Sequence, residues 1–77
     1  MEFVHYPFKH FRHAESLADE LNAAGLTANI MLCADDDGHD IHAVHAYFKD
    51  WNEYDRIKAI AKPHDDAERK RNAPVNR

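Results

Sequence analysis

The spacing of hydrophobic positions changes character several times along the chain. Glu2 to Tyr6 alternates, with Phe3 and His5 on one side and Val4 and Tyr6 on the other, which predicts a short strand. Pro7 has no N–H to give a ladder and is expected to end it. From Phe11 to Ala24 the period lengthens. Phe11, Ala14, Leu17, Ala18, Leu21 and Ala24 recur at steps of three and four, the stripe of an amphipathic helix, while Glu15, Asp19, Glu20 and Asn22 lie largely off it. Gly25 follows, where a left-handed C-cap strains glycine least, and Leu26 is placed to close back on the last turn.

Alternation returns at Thr27 to Ala34, with Ala28, Ile30, Leu32 and Ala34 on one side. Asp35 to Asp40 supplies a turn, and Asp37-Gly38 suits a two-residue type I′ hairpin. Ile41 to Phe48 is then a third strand. A two-residue turn pairs Asp36 with His39, Ala34 with Ile41 and Cys33 with His42. Asp50 is placed as an N-cap with Glu53 as its capping-box partner. Trp51, Tyr54, Ile57, Ile60 and Ala61 form the stripe of a second helix, which Pro63 is expected to stop. Residues 1–63 are therefore read as a single domain, and residues 64–77 as a charged, mobile tail with at most a short helical piece from Asp65 to Arg71.

The order is βαββα. A right-handed crossover makes strands one and two parallel, and the hairpin sets strand three antiparallel to strand two. With strand three central, the sheet order is 1-3-2 and both helices lie on one face. This is an α+β fold, the ferredoxin-like split motif without its fourth strand.

His5 to Ile30 resembles the opening of several small ferredoxin-like regulators: a strand ending at Tyr6, Phe8 near the turn, the run Ala18-Asp-Glu-Leu21-Asn-Ala-Ala-Gly25, and then a strand. RraB-type ribonuclease E inhibitors, ACT-like domains and PII-like domains begin in this way. The resemblance implies the fold and transfers no functional residue. The C-terminal aromatic motif of the ribonuclease inhibitors has no counterpart, because Asp65 to Arg77 holds no aromatic side chain.

Composition narrows the classes of function. The chain has 77 residues, room for one modest core and little for a deep cleft. No apolar run approaches the ~20 residues of a membrane span. Met1 to Phe11 lacks the charged start and long apolar stretch of a signal peptide. Cys33 is the single cysteine, so no internal disulfide is available and a cytoplasmic setting is expected. Residues 1–61 carry five Lys/Arg against eleven Asp/Glu, and residues 62–77 five against three. An acidic body repels a phosphate backbone, so nucleic-acid binding is not expected of it. Seven histidines stand out; protonating all of them would move the net charge from −4 to +3.

Candidate chemistry is sparse. Gly25 and Gly38 are the only glycines, so there is no phosphate-binding loop, and Ser16 sits on a helix with no evident base. No catalytic residue, cofactor or metal ligand is assigned. His39 and His45 share a face of an extended strand but lie roughly 20 Å apart, and His42 points the other way, so the three cannot hold one zinc ion. Cross-strand Cys33 and His42 are read as a small thiol beside a half-exposed imidazole, and His10 and His13 as a solvated first turn. Asp35-Asp36-Asp37-Gly38 fails as a calcium loop, because Cys33 and Val44 stand where acidic ligands belong.

The third strand is apolar on both sides: Ile41, Ala43 and Tyr47 on one, Val44, Ala46 and Phe48 on the other. Two helices can cover only one face of a three-stranded sheet. The second face is expected to meet a partner through Met31, Cys33, His42, Val44, Ala46 and Phe48. The expected function is a small non-enzymatic protein-binding module, a regulator or inhibitor acting by contact. It is expected to form a homodimer through the open sheet face or an edge strand. Small acidic phage-type inhibitors of nucleic-acid-handling enzymes belong to this class. Two alternatives are a histidine-rich metal-binding or metal-sensing protein, and a nucleic-acid binder using Arg69, Lys70, Arg71 and Arg77.

Overall fold

A computed structural model describes residues 1–73. The elements are β1 (Glu2–Phe8), α1 (Phe11–Ala23), β2 (Thr27–Ala34), β3 (Asp40–Phe48) and α2 (Trp51–Asn72). The sheet order is β1-β3-β2, with β3 antiparallel to both neighbours. This is the βαββα arrangement expected from the sequence, with no fourth strand among the described residues.

The core lies between the two helices and one face of the sheet. Tyr6 and Phe8 of β1, Ala28 of β2, and Val44 and Ala46 of β3 pack with Ala14, Leu17, Ala18 and Leu21 of α1 and Ile57 and Ala61 of α2. The stripe read along α1 is buried as expected, except at its start, where Phe11 remains 49% exposed.

Local signals terminate α1 cleanly. Gly25 takes a φ of 85°, its N–H donates to the Asn22 carbonyl, and the Leu26 N–H donates to the Leu21 carbonyl. These two bonds make a Schellman cap, and buried Leu26 supplies its hydrophobic closure. Asn22 adds a clamp with no obvious sequence signature. Its side-chain oxygen accepts from the Ala28 N–H at 3.0 Å and its amide donates to the Ala28 carbonyl at 3.2 Å. That pair fixes the start of β2 against the end of α1. At α2, the Asp50 carboxylate accepts from the Glu53 N–H at 2.8 Å, and Glu53 reaches back to the Lys49 N–H at 3.1 Å, a variant of the capping box.

Three expectations are corrected. Pro7 does not end β1, which runs on to Phe8; β1 is an edge strand, where a residue without an N–H is tolerated. The hairpin turn is one residue longer than expected. The Gly38 N–H donates to the Asp35 carbonyl and the Asp35 N–H to the His39 carbonyl, with Gly38 at a φ of 83°. This is a type I turn closed by a glycine bulge. Cys33 therefore faces Ile41, and Leu32 faces His42. A one-residue slip moves side chains to the opposite face.

Pro63 does not end α2 either. It deprives the Ala59 carbonyl of its helical donor, but the second half is held by other bonds. Arg69 pairs with Asp65 at 3.0 Å and Lys62 with Asp66 at 3.2 Å. Glu68, 5% exposed, accepts from the Lys9 N–H at 3.1 Å, from Arg71 at 2.7 Å and from Asn72 at 2.9 Å. Residues 64–72 are thus a packed part of the helix rather than a mobile tail. Pro74 to Arg77, the rest of that expected tail, lie outside the described residues.

Candidate functional site

Among the described residues, no element covers the sheet face away from the helices. Cross-strand register arranges it in rows, because residues directly opposite each other share a face. One row is Phe3, Tyr47 and Thr27; the next is His5, His45 and Asn29; the next is Pro7, Ala43 and Met31; the last is Ile41 and Cys33. Phe3 and Met31 are each 47% exposed. None of these residues is Asp, Glu, Lys or Arg, in a chain of which 31% is charged.

The expected contact set is split between two faces. Met31 and Cys33 lie on the open face. Val44 and Ala46 are fully buried under the helices. His42 and Phe48 are half-buried on the helix side, where Phe48 packs against Trp51 and Tyr54 with ring centroids 6.2 and 5.1 Å away. The extra turn residue is the cause. It shifts β2 by one position against β3, so Cys33 joins Ile41, Ala43, His45 and Tyr47 instead of His42, Val44, Ala46 and Phe48. Of the open-face residues, the expected contact set left out Phe3, His5, Pro7, Thr27, Asn29 and His45, and Ile41, Ala43 and Tyr47 were expected on the opposite face. The β1–β3 register, which no turn fixes locally, brings Phe3 beside Tyr47 and His5 beside His45.

His5 and His45 meet in the centre of this face. The His5 Nδ1 lies 3.0 Å from the His45 Nε2, so one ring donates and the other accepts. Phe3 stacks on His45 with centroids 4.3 Å apart. Burial, reinforced by His5 alongside, holds the His45 imidazole below the usual histidine range and so favours the neutral ring.

The other histidines are dispersed. His42 meets the edge of Phe11 on the helix side, with centroids 5.6 Å apart. His39 sits in the hairpin loop, 3.6 Å from the Asp35 carboxylate. Ligand atoms of Asp35, Asp37 and His39 come within 4.8 Å of one another. However, the Asp35 Oδ1 already accepts from the Asp37 and His39 N–H groups at 2.9 and 2.8 Å. Those backbone bonds, chiefly the one from His39, hold the Asp35 carboxyl below its ordinary range. The cluster is accounted for as turn structure. The Nδ1 of His13 is buried without a hydrogen-bond partner. Burial first, and then the charges of Arg71 and Arg12, push this imidazole below its usual range.

A groove of about 390 Å³ is lined by Tyr6, Lys58, Ala59, Lys62, Asp65 and Asp66. The Tyr6 phenol is pushed up to about 12, mainly by burial and then by Asp65 and Tyr54. It stays protonated near neutrality and is a poor base. Of the basic residues near the end of α2, Arg69 and Arg71 are engaged by Asp65 and Glu68, while Arg77 lies outside the described residues.

The chain matches no known protein family, no curated protein and no solved structure. Among the described residues, no helix is long and apolar enough to cross a membrane.

Proposed function

We propose that this chain is a small non-enzymatic protein-binding module whose open sheet face packs against the same face of a second copy. The observation that carries this reading is the uncovered face itself, which bears no Asp, Glu, Lys or Arg. Such a face can meet itself across a two-fold axis without opposing like charges, whereas the acidic remainder of residues 1–61 cannot. Sheet-on-sheet packing also gives Phe3, Met31 and Tyr47 the apolar surroundings they lack in one chain. The Asp35–Asp40 hairpin, with its four aspartates, would remain available as an acidic surface suited to a partner protein with a basic surface, which the dimer would regulate or inhibit by contact.

The dimensions set the strength. Three strands ~4.8 Å apart and about seven residues long at ~3.3 Å each make a patch of a few hundred Å². Two such patches bury less than the ~1,600 Å² of a standard interface, so the dimer is weak and reversible. Sedimentation equilibrium at about 200 µM should show self-association in the parent and a monomer in Met31→Arg, which places a charge on the face. A parent that stays strictly monomeric at that concentration contradicts the reading, as does a Met31→Arg chain that associates equally well.

A further inference from the structure

His5 and His45 lie within the proposed contact face, and that reading assigns no chemistry to their ring nitrogens. We propose that this cross-strand pair is a two-nitrogen surface site for a divalent transition-metal ion of the copper(II) or nickel(II) class, formed within a single chain.

The two nitrogens are already at a chelating separation, and each ring has only to turn so that its lone pair leaves the hydrogen-bond axis and faces a shared ion. His5 and His45 sit directly opposite each other on β1 and β3, with Nδ1 and Nε2 3.0 Å apart. An ion ~2.0–2.1 Å from both nitrogens would see them at an angle of about 95°. A near-right angle fits adjacent positions of a tetragonal ion better than a tetrahedral one, and copper(II) stands highest in the affinity order for nitrogen sites. The ladder holds both backbones, and the Phe3 ring stacked on His45 limits one imidazole further. Binding requires no loss of a proton. The ring that now donates moves its N–H to its other nitrogen, leaving two neutral rings with lone pairs toward the ion. His5 is exposed, which leaves further coordination positions to water.

Two other histidine clusters are less well formed. His10 and His13 meet edge to face with centroids 5.7 Å apart, and the His13 Nδ1 is buried. Asp35 beside His39 is committed to backbone N–H groups. The site belongs to one chain and does not require the dimer, so it is tested on the full-length Met31→Arg chain as well as the parent.

Calorimetric titration with copper(II) in a non-coordinating buffer should give one site per chain in both backgrounds. Loss of an outer-shell partner alone weakens metal sites about 10–100-fold, so His5→Ala and His45→Gln should each weaken binding at least about 10-fold. His10→Ala and His39→Ala should leave the affinity unchanged. Electron paramagnetic resonance of the parent should show two equatorial imidazole nitrogens, reduced to at most one in either His5 or His45 variant. Circular dichroism checks that each variant is folded; His5→Gln and His45→Phe replace any that is not. Affinity within about threefold of the parent in a folded His5 or His45 variant overturns the proposal, as does loss of the site in His10→Ala or His39→Ala. Retention of the site in Met31→Arg, expected here, would hold even if the dimer reading failed.

Discussion

Glu68→Ala should destabilise the fold by about 1–3 kcal/mol, a value set by one backbone group. Glu68 lies where the second half of α2 crosses the β1–α1 connection, and its carboxylate accepts from the Lys9 N–H, Arg71 and Asn72. The three donors respond differently to its loss. Arg71 and Asn72 are exposed and regain water, so their share is small. The Lys9 N–H lies in a part-buried bond and loses its acceptor, which costs about 1–3 kcal/mol. For a chain this long, total stability is roughly 4–12 kcal/mol, so the loss is a large fraction. Glu68→Gln keeps an acceptor for Lys9 and should lose about 1 kcal/mol or less at neutral pH. Acid separates the two effects. Burial pushes the Glu68 carboxyl up, but bonds from Asn72, Arg71 and the Lys9 N–H bring it below the usual glutamate range. Its contribution is therefore present above about pH 4.5 and is lost as pH falls through the lowered value. Urea denaturation of parent, Glu68→Ala and Glu68→Gln at pH 7 and at pH 3 measures both. An alanine variant within about 0.5 kcal/mol of the parent at pH 7 would refute the reasoning, because it would mean that α2 beyond Pro63 is not held to the body.

The remaining predictions concern pH. The Tyr6 phenol, buried and raised from 10.0 to about 12, holds its proton more tightly in the fold. Stability should be intact below pH 10 and fall by up to about 2–3 kcal/mol as pH rises toward 12. Tyr6→Phe should remove that alkaline step; an unchanged profile in Tyr6→Phe would exclude Tyr6 as its source. On the acid side, His13 and His45 are held below the usual histidine range. The unfolded chain binds their protons first, so stability is present above 6.5 and declines as pH drops through 6.5 toward the folded values. Melting temperatures measured from pH 7.5 to 5 should fall, and more shallowly in His13→Gln; a flat or rising profile would contradict the assignment.

Much of the fold was legible because its elements carry their own periodicity. The α1 stripe, its Gly25-Leu26 cap and the Asp50-Glu53 start of α2 are local signals, and each appears where the sequence puts it. The central position of β3 was legible from the split βαβ arrangement that the element order suggests. What decides which side meets the helices is a single residue in the hairpin. Asp37-Gly38 reads equally well as a two-residue turn or as the end of a type I turn with a bulge, and the choice inverts the partners of Cys33. Hence Val44 and Ala46 belong to the core and Tyr47 and Ile41 to the open face. Pro63 was misleading for a different reason. A lost helical hydrogen bond is a local penalty, whereas the buried Glu68 that helps offset it bonds to Lys9, distant in sequence. The His5–His45 pair was illegible for the same reason, since nothing local sets the β1–β3 register.

The central claim is that the uncharged, helix-free sheet face is the contact surface. Amide and methyl chemical shifts followed by NMR as the chain is diluted from about 500 to 20 µM test it most directly, spanning the range expected for a small, weak interface. Concentration-dependent shifts should cluster at Phe3, Met31, Ala43, His45 and Tyr47 and be absent from Glu15, Asp19 and Glu20 on the exposed side of α1. Shifts that are independent of concentration, or that gather on α1 instead of the sheet, would contradict it.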